Sequence, residues 1–162
     1  MSRTFRLVAP LVGVLMLIFV SSAMSYEQQD IRSVLSQFPG STFLESLFSP
    51  IAFTYGGRLI SVDNLGLVTF IEFFIRKGMH VFIFGLLAFL LFRLLYGFNV
   101  NAFRSSLFSF VFVVGFAVID EVRQFFHPDR SGMWQDVVLD SFGAMLGIVF
   151  ALWFYKRKNE SR

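Results

Sequence analysis

The sequence predicts an all-α membrane protein of about four transmembrane helices, with an outer interfacial segment of short helices and a small hairpin between the first and second spans. Three observations predict it. The chain of 162 residues is 56% hydrophobic and only 15% charged, with a mean hydropathy of +0.68. Soluble domains run at about 45–50% apolar and about 25% charged. The apolar residues also gather into runs near the length that a membrane-crossing helix needs, about 20 residues. Finally, phenylalanine is over-used, with 24 residues against 4 tyrosines. Lipid solvates phenyl rings, whereas water penalises them. A single membrane domain covers 1–162 on this reading.

The spans fall at about 5–24, 78–96, 103–119 and 134–155. The first also fits a secretory signal peptide: Arg3 and Arg6 precede an apolar stretch, and Ser21-Ser22-Ala23 resembles a cleavage site. The length of the stretch and the structured-looking sequence after it favour a retained helix.

Orientation follows from the basic flanks. With a cytoplasmic N-terminus, Arg3, Arg6, Arg93, Arg104, Lys156, Arg157, Lys158 and Arg162 lie inside, in short tails and one short loop. Arg32, Arg58, Arg76, Lys77, Arg123 and Arg130 lie outside, most of them in the long segment 25–77. Nearly all acidic residues also fall outside. Both termini are therefore expected in the cytoplasm. The net charge of +3 sits at membrane flanks and does not suggest a nucleic-acid partner. The absence of cysteine excludes disulfides, thiolate catalysis and cysteine metal sites.

The outer segment, about 25–77, has internal order. Ile31, Val34, Leu35 and Phe38 recur at helical spacing before a stop at Pro39-Gly40. Thr42-x-x-Glu45 reads as a capping box before a short helix ending at Ser49-Pro50. Phe53-Thr54-Tyr55 and Arg58-Leu59-Ile60, joined by Gly56-Gly57, read as a hairpin with a two-residue turn. Asp63 is the expected cap of an interfacial helix that enters the second span near Lys77-Gly78.

The residues suited to chemistry gather around the link between the third and fourth spans. Asp120 to Arg130 is the densest polar stretch, and Glu121 and Gln124 share a helix face. Pro128 ends helical structure there, and Arg130 offers a planar fork for carboxylate or phosphate. Asp136 and Asp140 share a face of the fourth span, and Gly143 and Gly147 continue that stripe as a helix-packing surface. Thr69, Glu72, Arg76 and His80 form a comparable stripe into the second span. Ionisable groups at such depth face protein or water. The candidate polar site is His80, Glu121, Gln124, Arg130, Asp136 and Asp140, expected to converge near the outer interface. An internal ion-pair network that locks the loop is the competing reading. No cofactor or metal is expected, because the spacing of His80, His127 and the carboxylates is not diagnostic of ligands.

The ordered spacing from Arg76 to Phe154 resembles the VanZ-like family of bacterial membrane proteins. The shared pattern is His80 early in a span, then Glu121, Gln124, Phe126, Pro128 and Arg130, then Asp136, Asp140, Gly143 and Gly147. Tyr26-Glu27-x-Gln29 is similar to members with an outer segment after the first span. Asp140 departs from the pattern, since many members have asparagine there. The resemblance implies an envelope protein of the bacterial cell membrane, because the family's namesake is associated with resistance to the lipoglycopeptide antibiotic teicoplanin. It implies no reaction.

Three functions compete. The first is an accessory factor that affects lipoglycopeptide susceptibility through an outward polar site for membrane lipid or a lipid-linked envelope precursor. The second is an enzyme acting on a lipid headgroup, with Glu121 or Asp136 as base and Arg130 holding phosphate. The third is a structural or assembly protein. Whether any reaction is catalysed, and whether the chain forms a homo-oligomer, stay open on the sequence.

Overall fold

The computed structural model describes residues 2–24, 30–35, 41–128, 130 and 132–160. The segments around Tyr26-Glu27-x-Gln29 and Phe38-Pro39-Gly40 lie outside the described residues. The chain forms two compact units, one of Met1–Met24 with His80–Arg162 and the other of Ser25–Met79.

The larger unit is helical. It contains α1 (Arg3–Ala23), the second part of α5 (Leu67–Gly97), α6 (Ala102–Phe125) and α7 (Trp134–Glu160). Among the described residues, four helices are long and apolar enough to cross a membrane. At about 1.5 Å per residue, even the shortest matches a hydrocarbon core of about 30 Å. Local chemistry sets their ends. The Ser2 hydroxyl accepts from the Phe5 N–H to start α1, and the Asn101 side chain accepts from Arg104 N–H to start α6. Between α5 and α6 the chain turns through Asn99 at φ 63°, a left-handed conformation that asparagine tolerates.

Inside the unit, each helix contributes one stripe. On α6 the buried residues are Ser105, Ser109, Val113, Ala117, Asp120, Glu121 and Gln124, a three- and four-residue spacing that keeps them on one face. Leu11, Val14 and Ile18 of α1, Phe84 and Leu87 of α5, and Ala144 and Ile148 of α7 meet that face. The opposite surface is also apolar, with Phe108, Val111 and Ile119 of α6 and Phe142, Val149 and Phe150 of α7 exposed. Such a surface is stable only against hydrocarbon.

Helices α5 and α7 approach backbone to backbone. A Cβ on Gly147 would collide with the backbone carbonyl of Gly85, and one on Gly143 with that of Val81. A Cβ on Gly85 would stand 2.9 Å from the Gly143 carbonyl oxygen. Glycine is the residue that allows two helix backbones to touch at these positions.

Arginines hold both ends of α1. Arg3 Nη2 donates to the Gly97 carbonyl at 2.6 Å, and Arg93 Nη2 to the Arg6 carbonyl at 3.2 Å. At the other end Arg123 Nη2 donates to the Phe19 carbonyl at 2.8 Å. Arg130 donates there as well, from Nε to the Met24 carbonyl at 2.8 Å and from Nη2 to the Ser21 carbonyl at 3.2 Å. Gly97 ends α5 and Ser21 and Met24 lie at the C-terminal end of α1, where a cation is favoured, whereas the Arg6 carbonyl is four residues before Pro10, which has no N–H to offer it.

The smaller unit contains α2 (Arg32–Leu35), α3 (Ser41–Phe48), β1 (Ala52–Tyr55), β2 (Arg58–Ser61), α4 (Val62–Leu65) and the first part of α5. The hairpin is antiparallel, with Phe53 opposite Ile60 and Tyr55 opposite Arg58. Its turn needs positive φ at both centres, supplied by Gly56 at 56° and Gly57 at 76°. Ile60, Val62, Leu67 and Phe70 form a small core with Leu44, Phe48 and Tyr55 packed around it.

Two caps differ from the sequence expectation. Thr42 lies inside α3, which already includes Ser41, so it does not cap that helix. Asp63 lies in the first turn of α4, whose cap is Ser61, with its hydroxyl accepting from Asn64 N–H at 3.2 Å. Gly66 at φ 76° then separates α4 from α5. The expected single helix from Asp63 is therefore two, because the Gly66 backbone leaves helical geometry. From Leu67, α5 runs unbroken through Lys77-Gly78 to Gly97.

Candidate functional site

Three helices of the larger unit bring ionisable side chains together at the end of the bundle where α6 connects to α7. His80 comes from α5, Glu121 from the last turns of α6 and Asp140 from the second turn of α7. One ligand-type atom from each of the three lies within 4.8 Å of the others. His80 Nδ1 stands 3.4 Å from Asp140 Oδ1. The α5–α7 glycine contact lies directly below, since Gly143 is three residues from Asp140 and meets the carbonyl next to His80. Close backbones thus set the spacing between His80 and Asp140.

The two carboxylates have different surroundings. Glu121 is held by donors: Oε2 accepts from the Met133 N–H at 2.8 Å, and Oε1 accepts from Gln124 Nε2 at 3.4 Å. Gln124 also donates to Asp120 Oδ2 at 2.9 Å, and Asp120 faces Arg123 Nη2 at 3.5 Å. Asp140 is only 1% exposed, and neither of its oxygens has a hydrogen-bond partner among the described residues. The His80 ring lies nearly parallel to that of Phe84, 6.2 Å away between centroids, with 30% of the His80 side chain exposed.

Of the sequence candidates, His80, Glu121, Gln124 and Asp140 form one connected group. Asp136 is buried in the first turn of α7, within electrostatic range of both Glu121 and Asp140. Arg130 directs hydrogen bonds to the end of α1. Sequence reasoning missed three contributors. Asp120 was legible as the residue four before Gln124. The Met133 N–H carries no sequence signal. Gly132 packs against α6 so closely that a Cβ would collide with the Glu121 carbonyl, and that contact lets the next residue reach the Glu121 side chain.

A second polar group lies in the smaller unit. Glu72, 6% exposed, pairs with Arg76 Nη2 at 2.7 Å and with Arg32 Nε at 3.8 Å. Lys77 lies over the Tyr55 ring, 4.8 Å from its centre.

These features define a multi-pass helical membrane protein with a buried ionisable cluster at one end of its bundle. A family model described as VanZ/LLP1 matches residues 7–155, and the chain belongs to that family. No curated protein and no solved structure is similar enough to match.

Proposed function

We propose that this chain is an accessory protein of the bacterial cell envelope that alters susceptibility to teicoplanin-type lipoglycopeptides. In this reading both termini are cytoplasmic, and the cluster at the α6–α7 end faces outward, toward a lipid or lipid-linked ligand. One observation carries it: His80, Glu121, Gln124 and Asp140 converge from three helices at one end of a bundle whose core is otherwise mainly apolar. Ionisable groups inside a membrane protein are costly to bury and are retained for function more often than for stability. Reporter fusions after residue 160 and at Phe126 should give opposite signals, and an external C-terminus would turn the cluster to the cytoplasm and end this reading.

The direct test is teicoplanin susceptibility in a host expressing the protein, with abundance measured in the same cells. Glu121→Gln and Asp136→Asn are expected to remove the effect at near-normal abundance. An unchanged effect in both, at normal abundance, rejects the cluster as the working surface. Arg130→Ala belongs with assembly instead, since its guanidinium bonds to α1. The close approach of His80 to Asp140 favours a second reading, an enzyme acting on a lipid headgroup. A histidine beside a carboxylate is a common proton-transfer pair, and turnover of a labelled headgroup by purified protein would distinguish it.

A further inference from the structure

We propose that His80, Glu121 and Asp140 form a binding site for a divalent first-row metal ion of the Zn2+ class. The inference stands on the cluster's own geometry and does not depend on the antibiotic or lipid reading.

The first argument is spacing. Ligands held about 2.0–2.1 Å from a tetrahedral Zn2+ lie about 3.3–3.4 Å from one another. His80 Nδ1 and Asp140 Oδ1 are 3.4 Å apart, already at that separation. The Glu121 oxygen lies within 4.8 Å of both. The remaining distance, at most about 1.5 Å, falls to the Glu121 side chain to close. Three protein ligands leave one position for water or a substrate oxygen, as in catalytic zinc sites.

The second argument is the state of Asp140. A carboxylate 1% exposed, with both oxygens lacking a hydrogen-bond partner among the described residues, is costly to bury. Buried charges are paired with other charges or coordinated to metals. Its nearest cationic candidate is His80, which is positive only when protonated, and the carboxyls of Glu121 and Asp136 lie within electrostatic range. A dication between Glu121 and Asp140 neutralises two carboxylates and uses the neutral form of the imidazole.

The third argument is support behind the ligands. Metal-binding carboxylates are oriented by hydrogen bonds from an outer layer. Glu121 has that layer in the Met133 N–H and the Gln124 amide, each leaving further lone pairs on the oxygen it binds. The mixed donor set selects the ion. Imidazole suits Zn2+ and its neighbours, whereas oxygen-only sites suit Mg2+ and Ca2+.

The test uses the full-length protein purified in detergent, stripped with a chelator and titrated with Zn2+. The expected result is one zinc per chain, removable by chelator, with affinity reduced more than about tenfold by Asp140→Asn and by His80→Gln. His127→Ala is expected to keep the zinc. Failure of the wild-type protein to bind overturns the proposal outright. So does zinc that persists in both cluster variants, or that leaves with His127→Ala. Ligand identity is read without touching the cluster: the His127→Ala protein loaded with Cu2+ should show hyperfine coupling to one imidazole nitrogen. Absence of that coupling overturns the proposal even where a cluster variant fails to insert.

Discussion

The two units each bury a carboxylate beside a residue of α5, and they treat it in opposite ways. In the smaller unit Glu72 lies between two guanidiniums, Arg76 at 2.7 Å and Arg32 at 3.8 Å. Arg76 sits one turn along the same helix, so the pair forms locally as α5 forms. In the larger unit Asp140 meets a histidine from another helix and has further carboxylates nearby. Asp136, four residues back on α7, can be read from spacing, but His80 of α5 and Asp120 of α6 do not follow from α7 alone. The Glu72 group has the composition of a lock. Among the described residues Asp140 has no arginine or lysine paired to it, and its group has the composition of a site awaiting a cation or a proton.

That contrast is open to experiment, and the largest effect should come from the glycines. Gly147→Leu places a side chain where the Gly85 carbonyl stands. Overpacking of a close helix contact costs at least about 1–3 kcal/mol, and here backbone has to move. Folded protein should fall sharply by fluorescence-detected size exclusion, while Glu72 and Arg76 keep their pairing. Normal yield would show that α7 does not press on α5 as described.

Removing the lock should come next. Glu72→Ala leaves the partly buried Arg76 without its near partner and should destabilise the protein by about 3 kcal/mol, near the lower end for breaking a buried ion pair. The screening of Arg32, whose side chain is 53% exposed, limits that pair to a minor share. A thermal melt in detergent measures the change. Asp140→Asn should differ in sign. Replacing a poorly solvated carboxylate by a neutral amide is expected to leave the melting temperature unchanged or raise it, while metal binding is lost. A large destabilisation by Asp140→Asn would place both carboxylates in the same structural class.

The smallest effect belongs to the surface. Asp30 bonds the Arg32 side chain and backbone, and that holds its carboxyl down at about 2 from an ordinary 3.8. A lowered carboxylate contributes stability that is present above its unfolded pKa and is lost as pH falls through the folded value. The contribution should therefore fade between about pH 4 and pH 2, and carbon-detected titration of Asp30 reads the midpoint directly. Because Asp30 and Arg32 pair at the surface, with 32% and 53% of their side chains exposed, Asp30→Asn should change the thermal melt at neutral pH only slightly.

The sequence made some of this legible and hid the rest for physical reasons. Spans are legible because length and apolar content are properties of one segment: α5, α6 and α7 cover their expected ranges, and α1 ends one residue short of its own. The hairpin was legible because Gly56-Gly57 states its turn chemistry outright. Caps were less so: Ser61, Asp63 and Thr42 are all chemically fit to cap, and tertiary context selects among them. The Glu72–Arg76 pair could be read from i,i+4 spacing. The meeting of His80, Glu121 and Asp140 depends on how three helices rotate about their axes, which short-range pattern constrains only through the buried stripes. The role of Arg130 was hidden most completely, since its partners are backbone carbonyls and any residue supplies a carbonyl.

Those carbonyls have a consequence for how the protein is made. The end of α1 is completed by Arg123 and Arg130, which follow their acceptors by 104 and 106 residues in the chain. At about 5–20 residues per second, synthesis delivers them roughly 5–20 s after α1 has emerged. Through that interval those carbonyls lack their guanidinium donors, and the Ser21 carbonyl keeps only its bond from the Met24 N–H at 3.2 Å. Although first of the four long helices in chain order, α1 is thus among the last to be finished, and a chain stalled before Arg123 would carry an α1 whose end lacks both guanidiniums.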